Sequence, residues 1–561
     1  GTTFFPDARL NVVDTLLAGD ADTVALIGVA EDGTRRELTY AQARTDVAAV
    51  ASALRSAGVE PGDRVAAWMP NTIETVVFAL GALSIGAVVC TASPDFGPAA
   101  IADRFGQVEP VVLLVAARYV YGGREVDCLP RLPDLLAGLP TVRQVVVVGG
   151  EAHTPWTTWL DAHRGAPLAP VPLPFDHPGF ILFSSGTTGR PKGIVHAAAG
   201  VLLKDLSEQA YHLDIRPGDR VAYVTTCGWM MWNWLVCALG RRATVVLVDG
   251  SPVVPARDRM LALAAEEGLT FLGVSARLID EWRAAGVQPP AGLDSLRTLA
   301  STGSPLAPAA FDWVAERLPG VHLASMSGGT DLCGCFVLGV PTEPVVRGEI
   351  QGPALGLDVT VFGDDGTEAA VGETGELVCR SAFPSVPVAF WDDPDGTRFR
   401  ASYFERFPGV WAHGDFAVRT ESGGFVILGR SDATLNAKGV RIGTAEIYRV
   451  VEAFDAVAGC LAVGQAWEGD SRIVLFVELS PGCVLDDDLE AALRRALREK
   501  ASPRHVPAVI AAAPALPRTH NGKLAELAVA DTVNGRTVRD TSALANADCM
   551  AWFAEWASRS A

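Results

Sequence analysis

The apolar run Phe180-Ile-Leu-Phe183 passes without a break into Ser184-Ser-Gly-Thr-Thr-Gly-Arg-Pro-Lys-Gly193, and no other junction in the chain restricts the fold as much. A buried strand has to end there in a loop of glycines and hydroxyls. Gly186, Gly189 and Gly193 let backbone N–H groups come close to an anion. Ser184, Ser185, Thr187 and Thr188 add hydroxyl donors, and Lys192 adds positive charge. Such a set suits the phosphates of a nucleoside triphosphate. It is not a Walker loop, because Lys192 is followed by Gly193 where that motif has Ser or Thr, which disfavours a kinase or GTPase of that type.

With 561 residues, the chain has room for about three or four packed units of roughly 150 residues each. A net charge of −19 argues against binding nucleic acid or an anionic membrane through bulk electrostatics, so a polyanionic substrate must meet local positive charge. The longest weakly polar run, Val76 to Cys90, is too short to span a bilayer and contains Gly81, Ser84 and Gly86. It reads as a buried helix followed by a strand. The first residues lack a basic segment followed by an apolar one, so the expected location is cytoplasmic. The ten cysteines are scattered, and Cys333 and Cys335 have no partner pair, so free thiols are expected rather than zinc or disulfides.

Between Leu38 and Gly58, Val47, Val50, Ala51 and Leu54 recur at helical spacing behind Thr39, which predicts an N-capped amphipathic helix. A turn then leads to a strand at Arg64–Met69, Asn71 opens the next helix, and the chain returns to a strand at Gly86–Cys90. Apolar runs at 111–115, 144–149, 180–184, 221–225, 243–248, 270–274 and 297–301 continue the alternation. The fold class expected is α/β, with parallel sheets flanked by helices. Past Ala354, short glycine-punctuated strands predict a small β subdomain over about 354–430, including Gly423–Gly429. Beyond Arg430–Thr434 a new α+β pattern begins: Arg472–Leu479 alternates as a strand, and Asp486–Lys500 places Leu489, Ala492, Leu493, Ala496 and Leu497 on one helical face. The domains expected are therefore an N-terminal body, 1–430, and a C-terminal unit, 431–561.

The stretch from Ser184 to His196, SSGTTGRPKGIVH, resembles the phosphate-loop motif of the adenylate-forming superfamily of acyl-CoA synthetases, peptide-synthetase adenylation domains and luciferases. Ser327-Gly-Gly-Thr-Asp-Leu332, Trp411-Ala-His-Gly-Asp415, Gly429-Arg-Ser-Asp432 and Arg518-Thr-His-Asn-Gly-Lys523 match further motifs in the family's order, over nearly the whole chain. The resemblance implies that Ser184, Ser185, Gly186, Thr187, Thr188 and Lys192 hold the ATP phosphates, with Gly303, Ser304 and Pro305 beside the adenine. Gly329, Thr330 and Asp331 would lie near the phosphates, with Asp331 holding Mg²⁺. Asp415, an acceptor-only carboxylate, would grip two ribose hydroxyls, helped by Arg430. Lys523, from a mobile C-terminal lid, would stabilise charge as a carboxylate attacks the α-phosphate, with Thr330 and Arg441 as its catalytic companions; Arg441 pairs with the AMP phosphate. The lid would then turn about Asp432, remove Lys523 and bring Lys438 and Gly439 to a passage for the thiol of coenzyme A. No side-chain nucleophile is needed, and His196 is assigned an orienting hydrogen bond or packing.

Gly228–Trp234, Thr91–Phe96, Arg430–Asn436 and Ser502–Pro507 look most like the acetoacetyl-CoA synthetase branch. That resemblance places Trp229 in an acyl pocket, with Gly328 beside it; Met230, Trp232 and Trp234 could line the pocket or equally be core, since an aromatic cluster more often packs inside. Members of that branch carry an additional N-terminal region of about a hundred residues, the size of one small domain, whereas this chain begins almost at the shared FFP-x-ARLN segment. A trimmed N-terminus and a specialised relative both stay open. Cys227 stands where a hydroxyl residue is common, and Lys438 where a small residue is usual, which keeps a larger, pathway-specific acid open. The partners expected are ATP, coenzyme A and a small carboxylic acid. The alternatives are a ligase that performs only thioester formation from an acyl-adenylate, a loader of carrier proteins, and a catalytically silent nucleotide binder.

Overall fold

The computed structural model describes residues 2–184, 191–431, 435–437, 440–442, 444–467, 470–500, 505–520, 522–536, 538, 541 and 544–560. In it the apolar run at 180 is the strand Pro178–Ser184 of an eight-stranded sheet. The sheet order is Thr154–Pro155, Gln144–Val148, Val112–Ala116, Arg64–Trp68, Val88–Ala92, Pro178–Ser184, Lys192–Ala197 and Ala389–Phe390. Pairing is parallel up to Pro178–Ser184, as the alternation of strands and helices predicts, and antiparallel beyond it. The loop after Ser184 is too short for a crossover helix, so the chain folds straight back on itself.

A second, seven-stranded sheet runs His322–Ser325, Thr298–Thr302, Phe271–Ser275, Arg220–Tyr223, Thr244–Val248, Val24–Val29 and Arg35–Thr39. All its pairings are parallel except the last, which is a hairpin. The sequence reading contained neither strand of that hairpin. It did contain the helix that follows, Tyr40–Ser56, which Thr39 and Gln42 close with reciprocal side-chain bonds to backbone N–H groups. Every residue of the next helix, Ile73–Ser84, is buried. The two helices cross so tightly that a Cβ on Gly81 would lie 2.4 Å from Val50. One apolar core includes Val65, Val89 and Leu114 of the first sheet, Leu26, Val221 and Val245 of the second, and the helices between them.

The segment past Ala354 forms a four-stranded antiparallel sheet, Val359–Phe362, Thr374–Cys379, Trp411–Arg419 and Phe425–Arg430, with the helix Thr397–Phe404 against it. Beyond Leu435 the chain builds two cores of its own, and among the described residues none before Leu435 belongs to either. They enclose the three-stranded sheet Val457–Trp467, Asp470–Leu479 and Val509–Ala512 and the helices Thr444–Val451, Asp487–Lys500, Glu526–Val533 and Met550–Ser560. Leu493, Ala496 and Leu497 form the buried face of the second helix, as their spacing predicts. All ten cysteines are free and eight are buried. Among the described residues no helix is long and apolar enough to cross a membrane.

Candidate active site

The strand at 180 ends where expected: Ser184 pairs with Lys192 as the chain returns. Ser185, Gly186, Thr187 and Thr188 lie outside the described residues. Lys192 directs its ammonium to Asp331 Oδ1 at 3.2 Å and to the Tyr403 hydroxyl at 3.3 Å, over the face of Phe390 at 4.3 Å. The Tyr403 hydroxyl donates to the same Asp331 oxygen, and its ring stacks on Trp411 at 3.7 Å and 12°. Burial disfavours a charge on Asp331, but Lys192, Tyr403, His413 and Arg430 outweigh it and hold the carboxyl down at about 2. An ammonium, a carboxylate and a phenol are thus fixed together beside the mouth of the loop.

Asp331 follows the hairpin strand Ser327–Gly329, which pairs with Gly334–Leu338. A Cβ on Gly328 would fall 2.0 Å from the Gly334 carbonyl oxygen, so only glycine allows this approach. A Cβ on Gly329 would meet His413 at 3.3 Å and Asp331 Oδ2 at 3.4 Å. His196 anchors the turn from below, with Nε2 2.8 Å from the Thr330 carbonyl. A carbonyl requires a donor, so this nitrogen carries the proton, and burial pushes the imidazole down to about 4, which keeps it neutral. The orienting hydrogen bond assigned to His196 is therefore the one observed.

Asp415 lies on the strand Trp411–Arg419, directly opposite Arg430 in the register. Arg430 Nη1 reaches Asp415 Oδ1 at 3.3 Å. It does so by crossing Gly414, where φ is +85° and a Cβ would stand 2.6 Å from the guanidinium. Glu376 supports the bend by accepting the Gly414 N–H at 2.6 Å.

On the opposite side, Trp229 precedes the helix Met230–Cys237 and packs edge-on to Tyr223 at 6.0 Å. Its ring closes on the turn after strand Thr298–Thr302: a Cβ on Gly303 would be 3.8 Å from it, and Ser304 and Pro305 beyond are exposed. Met230 is buried beside it. Trp232 and Trp234 are core residues instead, their indole N–H groups donating to Asn71 at 3.1 Å and Glu208 at 3.1 Å. Cys227 turns its thiol to the Met69 carbonyl at 2.8 Å, and burial raises its pKa, so it serves the backbone and stays a thiol.

The C-terminal unit supplies Lys523. Its turn is closed by Thr519 N–H to the Lys523 carbonyl at 2.8 Å and by Lys523 N–H to the Thr519 hydroxyl at 3.1 Å. His520 in the same turn packs on Phe96 of the body at 4.6 Å. The Lys523 side chain is water-accessible within the cleft, yet surrounding protein lowers its pKa, Asp415 and Asp331 opposing and Arg430 adding to the effect. Three groups of the body are therefore within electrostatic reach of this ammonium. Arg441 is the central residue of the strand Val440–Ile442, opposite Asn436. Asp432, Lys438 and Gly439 lie outside the described residues.

Residues 14–385 match the family described as AMP-binding enzyme, and residues 446–523 match the AMP-binding enzyme C-terminal domain. The chain belongs to the AMP-binding enzyme family. Acetoacetyl-coenzyme A synthetase of Rhizobium meliloti (strain 1021) is 49% identical over 98% of this chain and 86% of the relative. Acetoacetyl-CoA synthetase of Xenopus tropicalis is 40% identical over 97% of this chain and 84% of the relative. The solved acetoacetyl-CoA synthetase from Streptomyces lividans, 40% identical, superposes with a TM-score of 0.94 over 100% of this chain and 88% of its own. The anthranilate CoA ligase AuaEII, solved with anthranoyl-AMP, shares the fold at a TM-score of 0.80 and 22% identity, covering 92% of this chain and 96% of its own. This AMP-binding enzyme is an ATP-dependent acyl-CoA synthetase, an AMP-forming acid–CoA ligase.

For an AMP-binding enzyme that joins an acid to a thiol, one residue was absent from the sequence reading. Tyr403 sits in the helix Thr397–Phe404, whose sequence TRFRASYF carries no recognisable motif. Only the fold brings it to Asp331, 72 positions away. The donors also bear on the expected magnesium ion. Among the described residues, no group of three or more His, Cys, Asp or Glu could enclose a metal. Lys192 and Tyr403 both bond Asp331 Oδ1, while Oδ2 turns toward Gly329. A single carboxylate oxygen fits Mg²⁺, which keeps several waters and takes the rest of its shell from phosphates.

Proposed function

We propose that the chain activates acetoacetate with ATP as an acyl-adenylate and transfers the acyl group to coenzyme A. The observation that carries the two-step reading is the docking of the Lys523 turn on the body, where His520 packs on Phe96 at 4.6 Å; surrounding protein lowers the pKa of the Lys523 ammonium, the charges of Asp415 and Asp331 raise it, and that of Arg430 lowers it further. An enzyme confined to thioester formation has no use for it there. Acetoacetate as the acid is supported by the 49% and 40% identical relatives of that specificity.

In the first step a carboxylate oxygen attacks the α-phosphorus, forming the mixed anhydride and breaking the bond to the β,γ-pyrophosphate. The loop from Ser184 to Thr188 and Lys192 hold the departing phosphates. Thr330 orients the α-phosphate, and Gly329 allows its approach. Asp415 and Arg430 fix the ribose, and Gly303, Ser304 and Pro305 border the adenine. Asp331 would hold Mg²⁺, which when bound neutralises phosphate charge. Lys523 meets the negative charge that develops on the α-phosphate, an interaction aimed at the transition state rather than the ground state. Trp229, Met230 and Gly328 border the acyl chain.

In the second step the thiol sulfur attacks the acyl carbon, its proton is lost, and AMP leaves. The boundary is proposed between residues 430 and 431, with Asp432 as the hinge about which the C-terminal unit turns. The turn withdraws Lys523, brings Arg441 to the AMP phosphate and places Lys438 and Gly439 along the thiol's path. The matches to separate N- and C-terminal families and the independent cores beyond Leu435 support this division.

The test is acid-dependent exchange of pyrophosphate into ATP across a panel of carboxylic acids, alongside thioester formation from synthetic acyl-adenylates. Exchange strongest with acetoacetate supports the proposal. Rapid thioester formation without exchange for any acid would restrict the enzyme to the second step.

A further inference from the structure

Beneath the site lies a buried ion pair that none of these roles uses. The helix Ala198–Ser207 continues into a π-helical turn, Glu208–His212, a distortion often found at functional sites. Lys204 and Glu208, one turn apart, are 5% and 1% exposed, and the Lys204 ammonium donates to Glu208 Oε1. The pair grips one residue of the hairpin that carries the Thr330–Asp331 turn. The Cys335 N–H donates to Glu208 Oε1 at 2.7 Å, and the Cys335 carbonyl accepts from Lys204 at 2.8 Å. Together the two side chains supply the acceptor and the donor that a neighbouring strand would supply.

Cys335 is the register partner of Gly328, and Gly334 that of Gly329. A Cβ on Gly334 would come within 2.8 Å of Glu208 Oε1, so the hairpin rests directly on the carboxylate. The other carboxylate oxygen accepts the Trp234 indole N–H at 3.1 Å, and Gln209 donates to the Trp234 carbonyl at 2.7 Å. Trp234 is one turn beyond Met230 on the helix Met230–Cys237. One carboxylate thus joins the nucleotide-side hairpin to the acyl-side helix. Asp205, fully buried next to Lys204, has its pKa raised by burial and then by Glu208.

We propose that Glu208, held by Lys204, is a positioning residue that sets acid selectivity by fixing the spacing between Gly328 and the Trp229–Met230 segment. This rests on the assignment of those three residues to the acyl pocket. Replacing both partners avoids leaving one buried charge unpaired, the costliest outcome, but it frees the Cys335 N–H and carbonyl and the Trp234 indole N–H from the partners that hold them. One variant is therefore Lys204→Met/Glu208→Leu, and a milder one is Trp234→Phe, which deletes the indole donor and trims the ring packed on Tyr223 and Phe271.

Pyrophosphate exchange is measured with acetoacetate, butyrate and acetate, and kcat and KM are separated for each acid and for ATP. The double variant is expected to raise KM for acetoacetate and to shrink its kcat/KM advantage over butyrate by about tenfold, the discrimination a displaced pocket wall loses. KM for ATP should move less. Trp234→Phe should shift the same ratio in the same direction by about threefold, the effect of one lost hydrogen bond. A uniform drop in kcat with unchanged KM values and unchanged selectivity in either variant would mean that the pair only stabilises the fold, and would overturn the inference. An unaltered enzyme that exchanges with none of the acids would overturn the proposed function, and this inference with it.

Discussion

The two ammonium groups of the site are held in opposite ways. On the body, Lys192 has its charge matched in advance by Asp331, the Tyr403 hydroxyl and the Phe390 ring face. On the C-terminal unit, the hydrogen bonds at Lys523 are made by its backbone, and surrounding protein destabilises its charged form. A compensated charge binds a ligand by exchanging partners, with modest net gain. An ammonium that lacks such compensation gains most when negative charge appears in front of it, which makes it suited to a transition state.

The sharpest break of this comparison is Lys523→Ala. Acid-dependent pyrophosphate exchange is expected to fall by about a hundred- to a thousandfold, the size of effect seen on removing one transition-state donor. Thioester formation from a synthetic acyl-adenylate should stay within about threefold, because that step does not use the group. Equal losses in both assays would place Lys523 in both steps and erase the contrast. Next in size, Asp331→Asn is expected to reduce exchange by about tenfold to a hundredfold and to raise KM for ATP, since Lys192 loses its charged partner. A change in kcat alone would contradict the binding role.

Tyr403→Phe separates the pre-organised side further. The ring remains stacked on Trp411, while the hydroxyl bond to Asp331 and the acceptor for Lys192 are removed. KM for ATP should rise by about three- to tenfold, with a loss of about 1 kcal/mol in stability, measured by urea titration. An unchanged KM would show that Lys192 and Asp331 hold their places without the phenol.

That Tyr403 has to be tested at all marks where sequence reading stops. The strand that ends at Ser184 and the runs that became the two large sheets follow from local pattern, because apolar spacing acts over a few residues, whereas Asp415 and Arg430 were legible through the resemblance to the family and their pairing only in the fold. Tyr403 and Glu208 act through partners 72 and 127 positions away, with no motif around them. The hairpin Val24–Val29 and Arg35–Thr39 escaped for another reason: its second strand, RRELT, is an exposed edge without apolar alternation. The aromatic run after Gly228 could not be divided from sequence between pocket and core; in the fold Trp232 and Trp234 are paired core residues, while Trp229 reaches the Gly303 turn.

The smallest expected effect concerns the seam between the two units. Glu452 follows the helix Thr444–Val451, and Asp280 lies on the body helix Ala276–Ala284. Surrounding protein, and then the Asp280 charge, push the exposed Glu452 from 4.5 up to about 7, against Arg518 and a backbone hydrogen bond from Cys460. Burial also raises Asp280, with Arg283 opposing. Arg277, which lies near Arg518 and pairs with Glu281, completes the charged set around them. An acid with a raised pKa disfavours the arrangement that raises it, and the penalty is absent below 4.5, grows as pH rises and is complete above about 7. Solvent reaches Glu452 and screens part of it. Between pH 5.5 and 8 the ratio of pyrophosphate exchange to thioester formation should therefore fall by about two- to threefold, and Glu452→Gln should flatten it. A decline that survives unchanged in the variant would show that Glu452 is not its source. The comparison of Glu452→Gln with the unaltered enzyme thus decides whether the seam carries the pH dependence.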